Sequence, residues 1–287
     1  MVIIESEEYS SYPEIPERYI DNTDEDSIIM GAVTEEPEEM LEGLIICTRS
    51  LFIQDAAKIT YLWGRRRKKF TDVFSEMLPA FINSVTGKNI RSLYFSLVDP
   101  DGPGYDPAVS KLLEANGFKK IKEYDKCSAY YVSDFYDTGF MRSNVVKASQ
   151  DEHLYSFSVF SDEECRKNIL NIGAGNDDLY VIEKNAGCFF YIDKDEPVGA
   201  VTVSAVGRNA FAIDRIYIKN TAGRKKILKA LLAGVMAVNL EGLGMDALMY
   251  TCDKAGEDLR VFEECLGESG MELKIMDFLY VADQLQD

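Results

Sequence analysis

Apolar residues in the stretch RRRKKFTDVFSEMLPAFINSV recur at Phe70, Val73, Phe74, Met77, Leu78 and Phe81. This is the i, i+3, i+4, i+7 spacing of an amphipathic helix. The stretch GRKKILKALLAGVMAVNLEG has the same rhythm at Ile227, Leu228, Leu231, Leu232, Val235 and Met236. Pro79 lies inside the first helix, where it is expected to bend it. Each helix follows a pair of β-branched, apolar runs separated by a turn. The pairs are MLEGLIICTRS with AAKITYLWG, and EPVGAVTVSAVGRN with AFAIDRIYI. Both read as antiparallel hairpins. A further strand precedes each pair, at SIIMGAVTE and at AGCFFYID.

A third piece also recurs as strand, helix, strand. It is SLYFSLVD then PAVSKLLEANGFKKIKEYDKCSAYYV, and DALMYTCD then EDLRVFEECLGESGMELKIMDFLYVAD. Gly117 and Gly270 stand where a left-handed cap would end each helix. Three pieces repeated in one order imply two domains of similar α+β fold, each with a mixed sheet. The polar, weakly periodic stretch 137–153 separates them, giving domains at 1–140 and 150–287. The second opens with LYSFSVF as a strand and SDEECRKNILNIG as a helix. Ser161 and Glu164 form a capping box there. The first opens with VIIES and PEIPERYID, a strand and one short helix, and is abbreviated.

Charge changes the picture. The 287 residues carry a formal net charge of -18. Residues 1–43 hold fourteen Asp/Glu and one Arg, a net of -13, so the other 244 carry -5. An acidic chain disfavours nucleic acid and anionic membranes as partners. The acidic arm reads as a solvated segment, or else as one that covers a basic surface of its own protein. No apolar run reaches the ~18 residues of a membrane-spanning helix. The N-terminus also lacks the basic region of a secretory signal, so a cytoplasmic location is expected.

Chemistry is bounded next. His153 is the only histidine, and its polar surroundings, SQDEHLY, read as a solvated linker. The six cysteines, Cys47, Cys127, Cys165, Cys188, Cys252 and Cys265, show no metal spacing and read as buried thiols. GPGYDP lacks the GK[ST] of a phosphate loop, and GAGNDD reads as a loop before a strand. Against this acidity stands a basic run, Arg65 to Lys69, at the start of the first helix, with a counterpart in Arg224, Lys225 and Lys226.

The order of elements and two local words resemble the GNAT-type N-acetyltransferase superfamily, once per half. KLLEANGFKKIKEY (111–124) is similar to the segment that closes such domains. IDRIYIKNTAGRKKILKALL (213–232) is similar to their fourth strand and acetyl-CoA loop. The resemblance implies an N-acetyltransferase that moves an acetyl group from acetyl-CoA to a primary amine. It implies that the pantetheine arm lies between splayed fourth and fifth strands, beside Leu62 in the first half and Ile216 and Ile218 in the second. A Q/R-x-x-G-x-G/A loop would hold the pyrophosphate on backbone N–H groups at the helix start.

This chain departs from that loop. Anchored on the apolar helix residues, Arg66, Arg67, Lys68, Lys69, Phe70 and Thr71 fill it in the first half. Gly223, Arg224, Lys225, Lys226, Ile227 and Leu228 fill it in the second. Both halves lack both glycines, so lysine side chains would supply the charge. The tyrosine expected before the closing Gly-Phe is absent, with Leu112 and Leu113 in its place, and Phe262 and Cys265 as the nearest equivalents in the second half.

The resemblance implies Asp214 as general base, and its counterpart Thr60 cannot serve. Glu183 is the other candidate. Substrate chemistry is therefore expected in the second domain, with the first degenerate. The acidic surface favours a cationic amine as acceptor. The alternative is a non-catalytic scaffold that binds a partner or another ligand.

Overall fold

The computed structural model describes residues 2–5, 27–34, 40–65, 70–98, 108–136, 138–139, 143–144, 146–148, 151–206, 210–219, 223–242, 246–252 and 270–282. The basic residues Arg66, Arg67, Lys68 and Lys69 lie outside them. So do GPGYDP, PEIPERYID and most of the helix expected before Gly270, including Phe262 and Cys265.

The first half carries β1 (Val2–Glu5), β2 (Ser27–Thr34), β3 (Met40–Arg49), β4 (Ala56–Gly64), α1 (Phe70–Gly87), β5 (Ser92–Val98), α2 (Ala108–Ala115) and β6 (Lys119–Tyr131). The second carries β7 (Leu154–Ser156), α3 (Asp162–Ile172), β8 (Phe189–Asp193), β9 (Glu196–Val206), β10 (Ala210–Ile218), α4 (Arg224–Gly242), β11 (Leu248–Cys252) and β12 (Met271–Val281). The described strands and helices follow the expected order in both halves, and the helices expected at PEIPERYID and before Gly270 lie outside the described residues.

Pairing divides the chain differently from sequence order. One compact unit comprises residues 1–123 and 274–287, and the other 124–273. In the first, the strands run β1-β2-β3-β4-β5-β12. In the second they run β7-β8-β9-β10-β11-β6. Each unit thus takes its last strand from the other half of the sequence. β12 pairs antiparallel with β5 from Ile275↔Val98 to Val281↔Ser92. β6 pairs antiparallel with β11 from Leu248↔Tyr131 to Cys252↔Cys127. A division at 140–150 counts strands by sequence, whereas these units count them by partner.

Both sheets are mixed. β4 and β5 are parallel, as are β10 and β11, and the other pairs given above are antiparallel. The helices pack by their predicted stripes. Val73, Phe74, Met77, Leu78 and Phe81 are buried in α1, and Ile227, Leu228, Leu231, Leu232 and Val235 in α4. Each such side chain contributes about 1.5–3 kcal/mol by leaving water. α1 runs through the exposed Pro79 without interruption.

One glycine in each unit lets the helix lie close to the sheet. A Cβ on Gly43 would sit 2.7 Å from Val73 Cγ1, and one on Gly199 2.7 Å from Ile227 Cγ2. Both distances are shorter than carbon atoms tolerate, so only glycine fits without displacement.

α3 opens with the expected capping box between Ser161 and Glu164. Gly117 ends α2 at φ 87° as expected. Gly270 does not adopt a left-handed φ. It is required for another reason, because a Cβ there would lie 2.8 Å from the Tyr130 ring. No helix among the described residues is long and apolar enough to cross a membrane.

Candidate functional site

The two parallel pairs separate after three residues each. The register of β4 with β5 runs from Ala56↔Ser92 to Lys58↔Tyr94, and that of β10 with β11 from Ala210↔Leu248 to Ala212↔Tyr250. Beyond these points the facing backbone edges of β4 and β10 leave the ladder. Main-chain N–H and C=O groups need partners. An extended, amide-bearing ligand is a suitable one, since it can bond to a strand edge as another strand would.

A β-bulge marks the same place in both units. On β4, Tyr61 faces Ile46 and Ile59 faces Cys47, which leaves Thr60 as the extra residue. On β10, Arg215 faces Thr202 and Ile213 faces Val203, which leaves Asp214. The expected equivalence of Thr60 and Asp214 is therefore visible in the pairing. Thr60 Oγ1 donates to the Ile46 carbonyl at 3.4 Å. Asp214 is buried, with 3% of its surface exposed. A bulge re-aims a side chain and is frequent beside reactive sites.

Strand alternation sorts the rest of β10. Ile218 lies opposite Gly199, on the face that receives α4, and Ile216 shares that face. Leu62 packs on the α1 core in the first unit. Arg215 and Tyr217 take the other face of β10, toward the 3-10 turn Asn176–Tyr180. There Arg215 Nε donates to Asp178 Oδ1 at 2.9 Å, and Arg215 Nη1 donates to the Asp214 carbonyl at 2.8 Å. The Gly175 N–H donates to Asp178 Oδ2 at 3.0 Å.

Burial alone would raise the Asp178 pKa. The Arg215 hydrogen bond and charge, with the Gly175 N–H, hold it below the ordinary carboxylate value. The Tyr217 hydroxyl is buried beside Asp178 but outside hydrogen-bond geometry. Burial first, and then the Asp178 charge, push its pKa up, so the phenol stays neutral. Thr202 Oγ1 on β9 and Thr251 Oγ1 on β11 are also buried without a hydrogen bond among the described residues. Leaving a hydroxyl in that state costs about 1–3 kcal/mol. Glu183 and Asp214 both lie near Cys188, and their charges add to the burial that pushes its thiol up to about 12. Burial pushes Cys47 to about 12 as well, and Cys165 to about 11. These are inert thiols at neutral pH.

The helix starts require a correction. The Arg65 N–H donates to the Glu42 carbonyl, and the Lys219 N–H to the Val198 carbonyl, both at 2.9 Å, so these residues end the two strands alike. Phe70 then begins α1 where Arg224 begins α4. Val73 corresponds to Ile227 and Met77 to Leu231 under the paired glycines. Phe70 therefore matches Arg224, three residues before the Ile227 that the apolar stripes suggest.

Arg224, Lys225 and Lys226 therefore form the first turn of α4, while Arg66 to Lys69 lie outside the described residues. Phe70, Thr71 and Asp72 stand in that turn in α1. Ile227 and Leu228 are buried helix residues and not part of a loop. The N–H groups of Lys226 and Ile227 donate to the Gly223 carbonyl at 2.8 and 3.1 Å, which commits them to the helix. Gly223 turns the chain at φ 106°, a value that favours glycine. The side chains of Arg224, Lys225 and Lys226 are exposed, and Arg224 Nη1 donates to the Ile218 carbonyl at 2.9 Å.

Two other readings change. GAGNDD leads into the 3-10 turn that carries Asp178, and the next strand, β8, begins only at Phe189. Asp178, which bonds to Arg215 on β10, is signalled in the sequence only by a Gly-x-x-Asp spacing able to close on its own N–H. His153 is half-buried and not simply solvated. Its Nδ1 lies 2.9 Å from the Ile192 carbonyl, and its ring stacks on Tyr191. No group of three His, Cys, Asp or Glu among the described residues is placed to hold a metal ion.

No family model matches the chain, and no curated protein matches it. Solved structures similar to it include a GCN5-related N-acetyltransferase from Kribbella flavida, at TM-score 0.47 and 14% identity, covering 86% of this chain and 90% of that one. A tandem GNAT protein from the clavulanic acid biosynthesis pathway is similar at TM-score 0.46 and 11% identity, covering 90% of this chain and 84% of that one. A GCN5-related N-acetyltransferase from Sphaerobacter thermophilus is similar at TM-score 0.45 and 10% identity, covering 92% and 84%.

Proposed function

We propose that the chain is an N-acyltransferase that takes acetyl-CoA as acyl donor and a primary amine as acceptor, with the chemistry in unit 124–273. The observation that carries this reading is Asp214. A buried carboxylate occupies the bulge at the point where β10 leaves β11.

In this reading the donor lies along the open edge of β10. Arg224, Lys225 and Lys226, at the start of α4, attract its phosphates by side-chain charge, and the positive end of the helix adds to them. The acceptor approaches from the face of Arg215 and Tyr217. Asp178, Glu183 and Asp214 outnumber Arg215 in charge there, which favours a cationic amine.

The transfer balances as follows. The Asp214 carboxylate takes a proton from the ammonium. The amine nitrogen attacks the thioester carbonyl, a C–N bond forms and the C–S bond breaks. The nitrogen loses a second proton as the amide forms. The thiolate takes up one, so one proton leaves to solvent overall. A positioned base of this kind contributes roughly 10²–10⁴-fold. Unit 1 holds Thr60 at the same bulge, which cannot act as base, and this supports a supporting role for it.

Titration calorimetry of the full chain with acetyl-CoA tests the donor. The expected result is saturable binding that Lys225→Ala with Lys226→Ala weakens, and Arg66→Ala with Lys69→Ala leaves unchanged. Absence of binding at millimolar ligand would overturn the reading.

A further inference from the structure

The two bulges are built by different means, and the difference assigns work to side chains beyond Asp214. In unit 1 the bulged residue secures itself, because the Thr60 hydroxyl donates across the strand to the Ile46 carbonyl. A carboxylate that serves as the base of the proposed reaction has no proton to donate. In that role Asp214 does not tie its own bulge as Thr60 does, and a donor comes from elsewhere. Arg215 supplies it through Nη1 to the Asp214 carbonyl, while its Nε is held by Asp178. Asp178 is fixed in turn by the Gly175 N–H at the start of the 3-10 turn. The chain of contacts runs from Gly175 through Asp178 and Arg215 to the backbone of the bulge.

The fold itself does not require this ion pair. Tyr61 takes the position of Arg215 in unit 1, next to the Thr60 bulge, and is buried. Taking two charges out of water is expensive, and an apolar or aromatic side chain is often as stable in such a place. The side chains of Arg215 and Asp178 are only 14% and 25% exposed. A costly pair is thus present in the unit whose bulge carries a carboxylate, and a buried tyrosine in the unit whose bulge does not.

We infer that Asp178 and Arg215 are positioning residues, a brace that fixes the Asp214 bulge and so the direction of its carboxylate. This rests on reading Asp214 as the base of the transfer reaction. Neither residue takes a proton from the acceptor. Their effect is on the placement of Asp214, where a displacement of about 1 Å can lower the rate by ~10²-fold.

The test uses the full chain and two independent readouts. The first is hydrogen–deuterium exchange of peptides spanning 211–217. Arg215→Met and Asp178→Asn should raise exchange there at least tenfold while α4 and β8 stay protected. Lys184→Met, which breaks the surface pair with Asp162 in the same unit, should not. Unchanged exchange at 211–217 in both brace variants would overturn the inference. Should Arg215→Met fail to fold, the near-isosteric Asp178→Asn decides.

The second readout is thiol release from acetyl-CoA with spermidine as probe amine. Arg215→Met should lower kcat by about 10- to 100-fold with KM for spermidine within twofold. Arg215→Lys, which keeps one donor, should recover part of it. A raised KM at unchanged kcat would make Arg215 a substrate contact and overturn the brace. If the unaltered protein neither binds acetyl-CoA nor turns over any amine, the proposed function fails. The exchange readout still decides whether the bulge is braced.

Discussion

Thr60 and Asp214 occupy the same bulge in two units built on one plan, and only Asp214 brings a carboxyl group to it. The scaffold around them is shared in detail. Each unit opens a parallel pair after three residues, follows it with a helix packed on the same apolar stripe, and makes room for that helix with one glycine. The polar groups are not shared. Buried side-chain oxygens without a hydrogen bond among the described residues, such as those of Thr202, Tyr217 and Thr251, lie in unit 124–273. Arg215 and Asp178 pair in that unit, where unit 1 places Tyr61. The opening in the sheet is thus scaffold, and what distinguishes the two openings is the set of charged groups kept beside each.

The largest effect expected from a change to either unit comes from its borrowed strand. Deleting residues 274–287 removes the buried Phe278 and Ile275 and exposes the edge of β5. Unit 1 should lose more than about 5 kcal/mol, of the order of the whole stability of a domain. Hydrogen exchange should then show β2 to β5 unprotected and β8 to β10 still protected. Equal loss in both units would remove the distinction between them.

The second effect is catalytic. Asp214→Asn should lower acetyl transfer by ~10²–10⁴-fold, and Thr60→Ala should leave it within twofold, as read by thiol release. A large loss from Thr60→Ala would place chemistry in the wrong unit.

The third is a test of the common scaffold. Gly43→Ala and Gly199→Ala each force a methyl against an apolar side chain of the helix above, Val73 or Ile227. Each should cost about 1–3 kcal/mol in urea denaturation, and the two costs should agree. A large difference would mean that the helices are not held alike.

The smallest effect is electrostatic. The Asp178 pKa is lower in the folded chain than its ordinary value of 3.8. Its ionised form is favoured by folding, so the contribution is complete above that ordinary value and is lost as pH falls through the lower native one. Asp178→Asn should cost about 1 kcal/mol at pH 7, and the difference from the unaltered protein should vanish at the acid end.

Much of this plan was legible in the amino-acid order. The repeated helix stripes, the capping box of Ser161 and Glu164, the cap at Gly117 and the match of Thr60 with Asp214 all depend on near neighbours. The helix register was not. A shift of three residues is close to the 3.6 of one helical turn, so the stripe beginning at Phe70 fits Ile227 nearly as well as the stripe beginning at Val73. Strand pairing and the paired glycines break that degeneracy. The exchange of β6 and β12 was also hidden, because a strand's own pattern says which face is buried and not which edge it joins. The pairing of Asp178 with Arg215 links residues far apart in sequence, and no local period announces it.

The most direct measurement is a crystal structure of the full chain with coenzyme A. Ligand along the open edge of β10, with its phosphates at Arg224, Lys225 and Lys226 and its thiol near Asp214, is the expected result. Ligand bound only along β4, beside Thr60, would contradict the assignment of chemistry to unit 124–273.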